Sequence, residues 1–302
     1  MTTTVSLALP IGPSEDPSSF GRGTLYLQRH SSLLIVALNR PKVKNAFNDD
    51  VYLDLIDCMQ LVIQDNLYSG IILTGIGDYF SSGADLSSNF LSDDGGPRNT
   101  LQIPPGQFMM ALLSFPKLIC AAVNGPAVGI GVTLLLHCDL VWCSTTSTFW
   151  APFPRLALVP ELCSSVTFID SMGLSKANEL LLLGTTLDAP TAVAWNIASR
   201  VVSIQDHQPS TLWLAMAMAH EIDARLLQLH RGPQTAQIFC QLLRGPRMAQ
   251  LQQVCREELQ LLDQRMNAGE CLEAAMLLKI GQGDHKKMTL KDQQPAHTRS
   301  KL

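Results

Sequence analysis

Three stretches limit what this chain can fold into: "SGIILTG" (69–75), "KLICAAV" (117–123) and "DLVWCS" (139–144) are short, apolar and bounded by polar or turn-forming residues. Runs of that length with no polar alternation read as buried strands. "TLYLQRH" (24–30), "SLLIVALN" (32–39) and "STFWAP" (147–152) add further strands. Helical patterns lie between them. "NDDVYLDLIDCMQLVIQD" (48–65) opens on Asn48 or Asp49 as cap, with acids facing the helix dipole. A second helix is expected near 106–114, and "VTLLLHC" (132–138) reads as an apolar helix. The alternation of buried strands and helices implies an α/β core.

Strand signals stop after "ASRVVS" (198–203). Separate helical patterns follow at 210–229, 233–243, 248–266 and 270–280, and their apolar content exceeds what one amphipathic face needs. Such helices often pack on another subunit. The expected organisation is a loose Ser/Thr/Pro/Gly-rich arm over 1–22, a core over 23–205, a helical oligomerisation region over 206–281 and a polar tail over 282–302.

Composition excludes several function classes. The chain has 302 residues, 16% charged residues and a formal net charge of -4, a poor match to the concentrated basic face that nucleic acid requires. No apolar run reaches membrane-spanning length. The eight cysteines form no C-x-x-C pair and mostly sit in apolar runs, so reduced, buried thiols in a reducing compartment are expected. The seven histidines show no metal-ligand spacing, and His137, on an apolar helix, reads as a satisfied core residue. The N-terminus lacks a basic n-region followed by an apolar h-region, which argues against a secretory leader. The last three residues, Ser300, Lys301 and Leu302, match the address read by the peroxisomal import receptor.

Two glycine-bearing loops follow buried strands: "FSSGADL" (80–86) and "NGPAVGIG" (124–131). Glycine permits close approach of backbone to a ligand, and the second loop opens a helix whose free N–H groups would face a negative group. The spacing of Gly125, Gly129 and Gly131 is not that of a dinucleotide-binding turn. A purely structural turn stays open for this loop taken alone.

Taken together, the two loops resemble those of the crotonase superfamily, also called enoyl-CoA hydratase/isomerase. "LNRPKVKNAF" (38–47) is similar to that family's early CoA-contacting loop, and "GTTLDAPTAVAWNIASRVV" (184–202) to its later helix and strand. The resemblance covers about 24 to 205 and implies an α/β crotonase (ClpP-like) fold of repeated ββα units with a C-terminal helical trimerisation region. It implies an acyl-CoA substrate that carries its own coenzyme A, no further cofactor, and a homotrimer. It also implies that the backbone N–H groups of Ala84 and Ile130 bind a thioester oxygen. Lys44, Ala46, Ser82, Gly83, Asp85, Leu86 and Phe153 would line the substrate or CoA site; Lys42 and Lys44 are candidates for the CoA phosphates or adenine region, with the alternative that both are simply solvated loop lysines.

The acidic residues decide among the family's reactions. Hydratases of the family carry two glutamates, at positions that are Thr133 and Phe153 here, so hydration is not expected. Dienoyl-CoA isomerases would need acids at both the Phe153 and Glu161 positions. Glu161 alone matches, and "PELCSSVTF" (160–168) resembles the "PE-x-C-S-S-x-x-F" pattern of peroxisomal Δ3,Δ2-enoyl-CoA isomerases. One glutamate suffices for a 1,3-proton shift, because the same base can take a proton from C2 and return it at C4. The apolar neighbours Phe149, Trp150, Phe153, Leu158 and Leu162 would raise its pKa and suit an acyl chain. The competing reading of Glu161 is that it merely opens a helix after a proline. At the level of function, the alternative is a non-catalytic acyl-CoA-binding or scaffolding member of the same fold. The expected compartment is the peroxisome or a related organelle such as a glycosome.

Overall fold

The computed structural model describes residues 19–85, 98–203 and 212–277 apart from Ala275. Leu86 and the Ser300–Lys301–Leu302 tripeptide lie outside these residues.

Seven strands form the main sheet: β1 (Ser19–Phe20), β2 (Leu25–His30), β3 (Leu33–Leu38), β4 (Gly70–Gly75), β5 (Leu118–Val123), β7 (Leu140–Ser144) and β10 (Arg200–Val202). They stand in the order β1-β2-β3-β4-β5-β7-β10. The first three pair antiparallel, and from β3 to β10 every pairing is parallel. A smaller sheet joins β6 (Ala127–Val128), β8 (Thr148–Trp150) and β9 (Leu187–Asp188).

The absence of polar alternation in β3–β5 has a direct cause: both faces of the sheet are covered. Leu34 and Val36 of β3, and Ile119, Ala121 and Val123 of β5, point into the larger core. Their neighbours Leu33, Ile35, Cys120 and Ala122 point the other way, against Leu214, Ala215, Met218 and Ala219. The larger core includes α1 (Asp49–Gln64) and α2 (Pro104–Leu113). The second face is covered by α7 (Trp213–Leu226). Asn48 caps α1, its side chain accepting from the Val51 N–H at 3.2 Å. Lys117 closes the other end of that helix, donating from Nζ to the carbonyls of Val62, Asp65 and Tyr68 at 2.6, 2.9 and 2.9 Å.

Between these lie α3 (Ile130–Thr133), α4 (Ser164–Met172), α5 (Leu174–Leu181) and α6 (Ala189–Ala194), and the last long helix is α8 (Gly232–Asn267). Two expectations change. The segment at 132–138 is not one α-helix, because α3 ends at Thr133 and a 3₁₀ turn continues over Leu134–His137. The patterns at 233–243 and 248–266 are one helix running through Gly245 and Pro246. Proline removes the donor that would bond the Leu242 carbonyl. Leu242 and Leu243 are 68% and 74% exposed, so water can satisfy that carbonyl. The first half of α8 leaves Ile238 and Phe239 exposed as well, whereas its second half buries Cys255, Glu258, Leu259 and Leu262 against the core. All eight cysteines are unpaired, seven of them buried and Cys138 half-buried. Among the described residues no helix is long and apolar enough to cross a membrane.

Candidate active site

Backbone pairing gathers the predicted site residues. The loop before α1 is stitched to the 81–85 loop: the N–H of Phe47 donates to the Gly83 carbonyl at 2.8 Å, and that of Asp85 to the Phe47 carbonyl at 2.8 Å. This parallel bridge between Phe47 and Ala84 turns the N–H of Ala84 away from Phe47. The Ser82 N–H donates to the Lys44 carbonyl at 2.9 Å, and Arg40 holds both the Ala46 carbonyl and the Asp85 carboxylate. Lys44, Ala46, Ser82, Gly83, Ala84 and Asp85 therefore belong to one surface. The Lys44 ammonium, exposed, stands 4.7 Å above the Tyr79 ring centre.

The second glycine loop docks on the first. Ser81 bridges Ala127, and the Val128 N–H donates to the Ser81 carbonyl at 2.9 Å. A Cβ on Gly83, whose φ is +89°, would stand 2.9 Å from the Val128 carbonyl oxygen, so only glycine allows this approach. Gly125 serves packing instead: a Cβ there would meet the Asp78 carbonyl oxygen at 2.0 Å. Ile130 is the first residue of α3, and its N–H is one of the four that no helix can satisfy internally. Ala84 and Ile130 each follow a glycine, Gly83 and Gly129, and a Cβ on Gly83 would stand 3.8 Å from the Gly129 Cα. Thr133 is fully buried, its hydroxyl directed at the Ile130 carbonyl, and Phe153 is buried in the core.

Glu161 does not start a helix. It precedes a turn, and α4 begins only at Ser164. The helix-opening reading is thereby overturned. Leu162 and Cys163, between Glu161 and the helix, both have left-handed backbone, with φ of +53° and +60°. For residues bearing a Cβ this costs about 1–2 kcal/mol each, so other contacts must hold the turn. They come from far along the chain. The ring of His137 donates from Nε2 to the Leu162 carbonyl at 2.8 Å, and the Cys163 thiol donates to the Leu251 carbonyl. Desolvation pushes the imidazole down to about 4, so the ring is neutral. Glu258 of α8 accepts the N–H groups of Cys163 and Ser165.

The Glu161 carboxyl is pushed up to about 7, first by desolvation and then by the charge of Glu258. A carboxylate in that range is a competent base near neutral pH. Glu161 also acts on the buried phenol of Tyr52, where desolvation, then the Glu161 charge, pushes the pKa up. The Tyr52 ring packs 5.3 Å from that of Phe47, the residue bridged to Ala84. Beside the turn lies a cavity of about 450 Å³ lined by Phe153, Leu158, Val159, Pro160, Ser165 and Leu181, among others.

Tyr52 and Glu258 carried no signal in the sequence. Tyr52 reads as one more apolar position of an amphipathic helix, and Glu258 as one more acid on a charged one.

Comparison with known proteins agrees with this architecture. The Enoyl-CoA hydratase/isomerase family matches residues 28–244. A human protein, enoyl-CoA delta isomerase 2, is 31% identical over 280 residues, covering 88% of this chain and 66% of its own. A mouse protein, enoyl-CoA delta isomerase 3, peroxisomal, is 38% identical over 200 residues, covering 62% of each chain. The chain thus spans about two thirds of the length of these relatives. A solved enoyl-CoA hydratase/isomerase from Pseudoalteromonas atlantica T6c superposes with a TM-score of 0.75 at 29% identity, over 85% of this chain and 97% of that one. The chain belongs to the enoyl-CoA hydratase/isomerase, or crotonase, family, and lies close to its enoyl-CoA delta isomerases.

Proposed function

We propose that this chain is a Δ3,Δ2-enoyl-CoA isomerase acting in the oxidation of unsaturated fatty acids. The observation that carries the reading is the half-buried carboxyl of Glu161, poised near neutrality, with non-acidic Thr133 and Phe153 at the positions a hydratase would fill. In this reading Glu161 takes a proton from C2 of a 3-enoyl-CoA. The electron pair moves onto the thioester oxygen through a dienolate. The same carboxyl then returns the proton at C4, leaving the double bond conjugated at C2–C3. The N–H groups of Ala84 and Ile130 stabilise the oxyanion, each contributing about 100–1,000-fold in rate. Lys44, Ala46, Ser82, Gly83, Asp85 and Leu86 would receive the coenzyme A part of the substrate, and Phe153 the acyl side. The reaction needs no cofactor beyond what the substrate carries.

Assembly as a homotrimer through the exposed apolar first half of α8, and delivery to peroxisomes or glycosomes by Ser300, Lys301 and Leu302, belong to the same proposal. Light scattering and imaging of a tripeptide-deleted chain test these two parts. The central test is Glu161→Gln with trans-3-enoyl-CoA as substrate. Loss of at least 1,000-fold in kcat with bound acyl-CoA retained is expected. Near-normal conversion would overturn the assignment.

A further inference from the structure

The N-terminus of α4 has no cap from its own neighbourhood: Cys163, at the capping position, is left-handed and makes no side-chain cap hydrogen bond. The cap comes from α8. Glu258 Oε2 accepts from the Cys163 N–H at 2.6 Å, and Oε1 from the Ser165 N–H at 3.0 Å and from the Ser165 hydroxyl. Glu258 is 8% exposed, and among the described residues no Lys or Arg forms a salt bridge with it. A buried acid without a cation is costly unless hydrogen bonds hold its charge. Here three donors do so, all from the segment that follows Glu161.

We propose that Glu258 is a positioning residue for Glu161, whose carboxylate clamps the 161–165 turn and supplies a fixed negative charge beside the reacting carboxyl. The inference rests on the reading of Glu161 as the base.

Two neighbouring acids that cannot both ionise freely divide the roles by environment. Burial raises the Glu258 carboxyl as well, but the donors from Ser165 and Cys163 oppose that rise and favour its anion, whereas among the described residues Glu161 has no such donors and is the one left to carry the proton. The other titratable groups facing the turn do not replace this effect. Tyr52 of α1 is neutral near pH 7 because burial disfavours its phenolate, and the Cys163 thiol is kept protonated first by its hydrogen bond with Cys255 and then by burial. His137 is neutral and committed to Leu162. Arg265, further along α8, pairs with Glu270 at 2.6 Å.

The test compares the full chain with Glu258→Gln, Glu258→Asp, Ser165→Ala and Glu161→Gln. It reads the pH profiles of kcat and KM, together with a carbon-detected NMR titration of the glutamate carboxyls. In Glu258→Gln the charge is removed. The Glu161 titration and the acid limb of kcat should move at least half a unit toward lower pH, plateau kcat should fall about 3- to 30-fold, and KM should stay within about twofold. Glu258→Asp should restore the position of the limb. Ser165→Ala weakens the hold on the Glu258 charge and should shift the limb the same way by less, which decides the matter if Glu258→Gln does not fold. An unmoved titration in both Glu258→Gln and Ser165→Ala overturns the proposal. Retained activity in Glu161→Gln would instead overturn the assignment of the base, and the NMR titration still reads the coupling.

Discussion

His137 Nε2 donates to the carbonyl oxygen of Leu162 at 2.8 Å, so a residue on the 3₁₀ turn after the second glycine loop holds the residue next to Glu161. Substituting His137→Leu should cost about 1–3 kcal/mol, since the carbonyl loses its donor in a largely enclosed place. It should also lower kcat several-fold by loosening the left-handed turn. His137→Gln, which keeps a donor, should recover most of both losses. Thermal melts and steady-state kinetics of the two variants check this.

The pH dependence of turnover follows from the Glu161 carboxyl at about 7. Only the ionised form accepts the C2 proton, so kcat should rise with pH through a midpoint near 7 and be about tenfold lower one unit below that midpoint than on the plateau. A midpoint in the ordinary carboxylate range, near 4.5, would contradict the enclosure of this group.

The same shift has an opposite consequence for stability. The folded pKa of Glu161 is raised, so the folded state holds this proton more tightly than the unfolded chain does. The contribution of this group to stability therefore falls as pH rises from about 4.5 to about 7. Glu161→Gln removes that loss. The variant should match the parent near pH 4.5 and exceed it at pH 8, by at most about 3–4 kcal/mol. The depressed His137 works the other way: its contribution grows as pH rises from about 4 to 6.5, so Glu161→Gln should uncover a stability that increases over that range. Denaturant titrations at three pH values read both slopes.

Gly83→Ala tests the contact between the two glycine loops. The new methyl would press on the Val128 carbonyl oxygen, and φ of +89° is a conformation that alanine rarely adopts. A stability loss of about 1–3 kcal/mol is expected, together with at least a tenfold drop in kcat/KM as the N–H groups of Ala84 and Ile130 separate. Crystals of the variant should show the loops moved apart.

Lys117→Met addresses the scaffold alone. Lys117 is 4% exposed, and its three acceptors at the end of α1 have no replacement in a thioether side chain. The variant should lose about 2–4 kcal/mol with little change in kcat for the folded fraction. Chemical denaturation alongside activity at low temperature separates the two.

The sheet was legible from the residues because its strands are buried on both faces, which leaves β3, β4 and β5 without polar alternation. The Asn48 cap was legible for a similarly local reason, a side chain bonding three residues ahead. The continuity of α8 was not, since Gly245-Pro246 is a strong local stop signal. It is overridden because the proline faces solvent-exposed backbone and the buried second half of the helix docks on the core.

The residues alone therefore determined the principal strands, though not the short β1, β6 and β9, together with the two glycine loops and the one carboxylate placed where this family can use it. The apolar neighbours that raise the Glu161 pKa could be read from the sequence, but the second contribution, the charge of Glu258, was decided only by tertiary structure. In the chain Glu258 sits in "CREELQ", beside an exposed Glu257 of the same type, and nothing nearby distinguishes the two. Folding α8 back buries one of them against the Cys163 and Ser165 amides. Local patterns record a residue's own backbone preferences, whereas a pKa depends on which charges and donors the fold brings within a few ångströms.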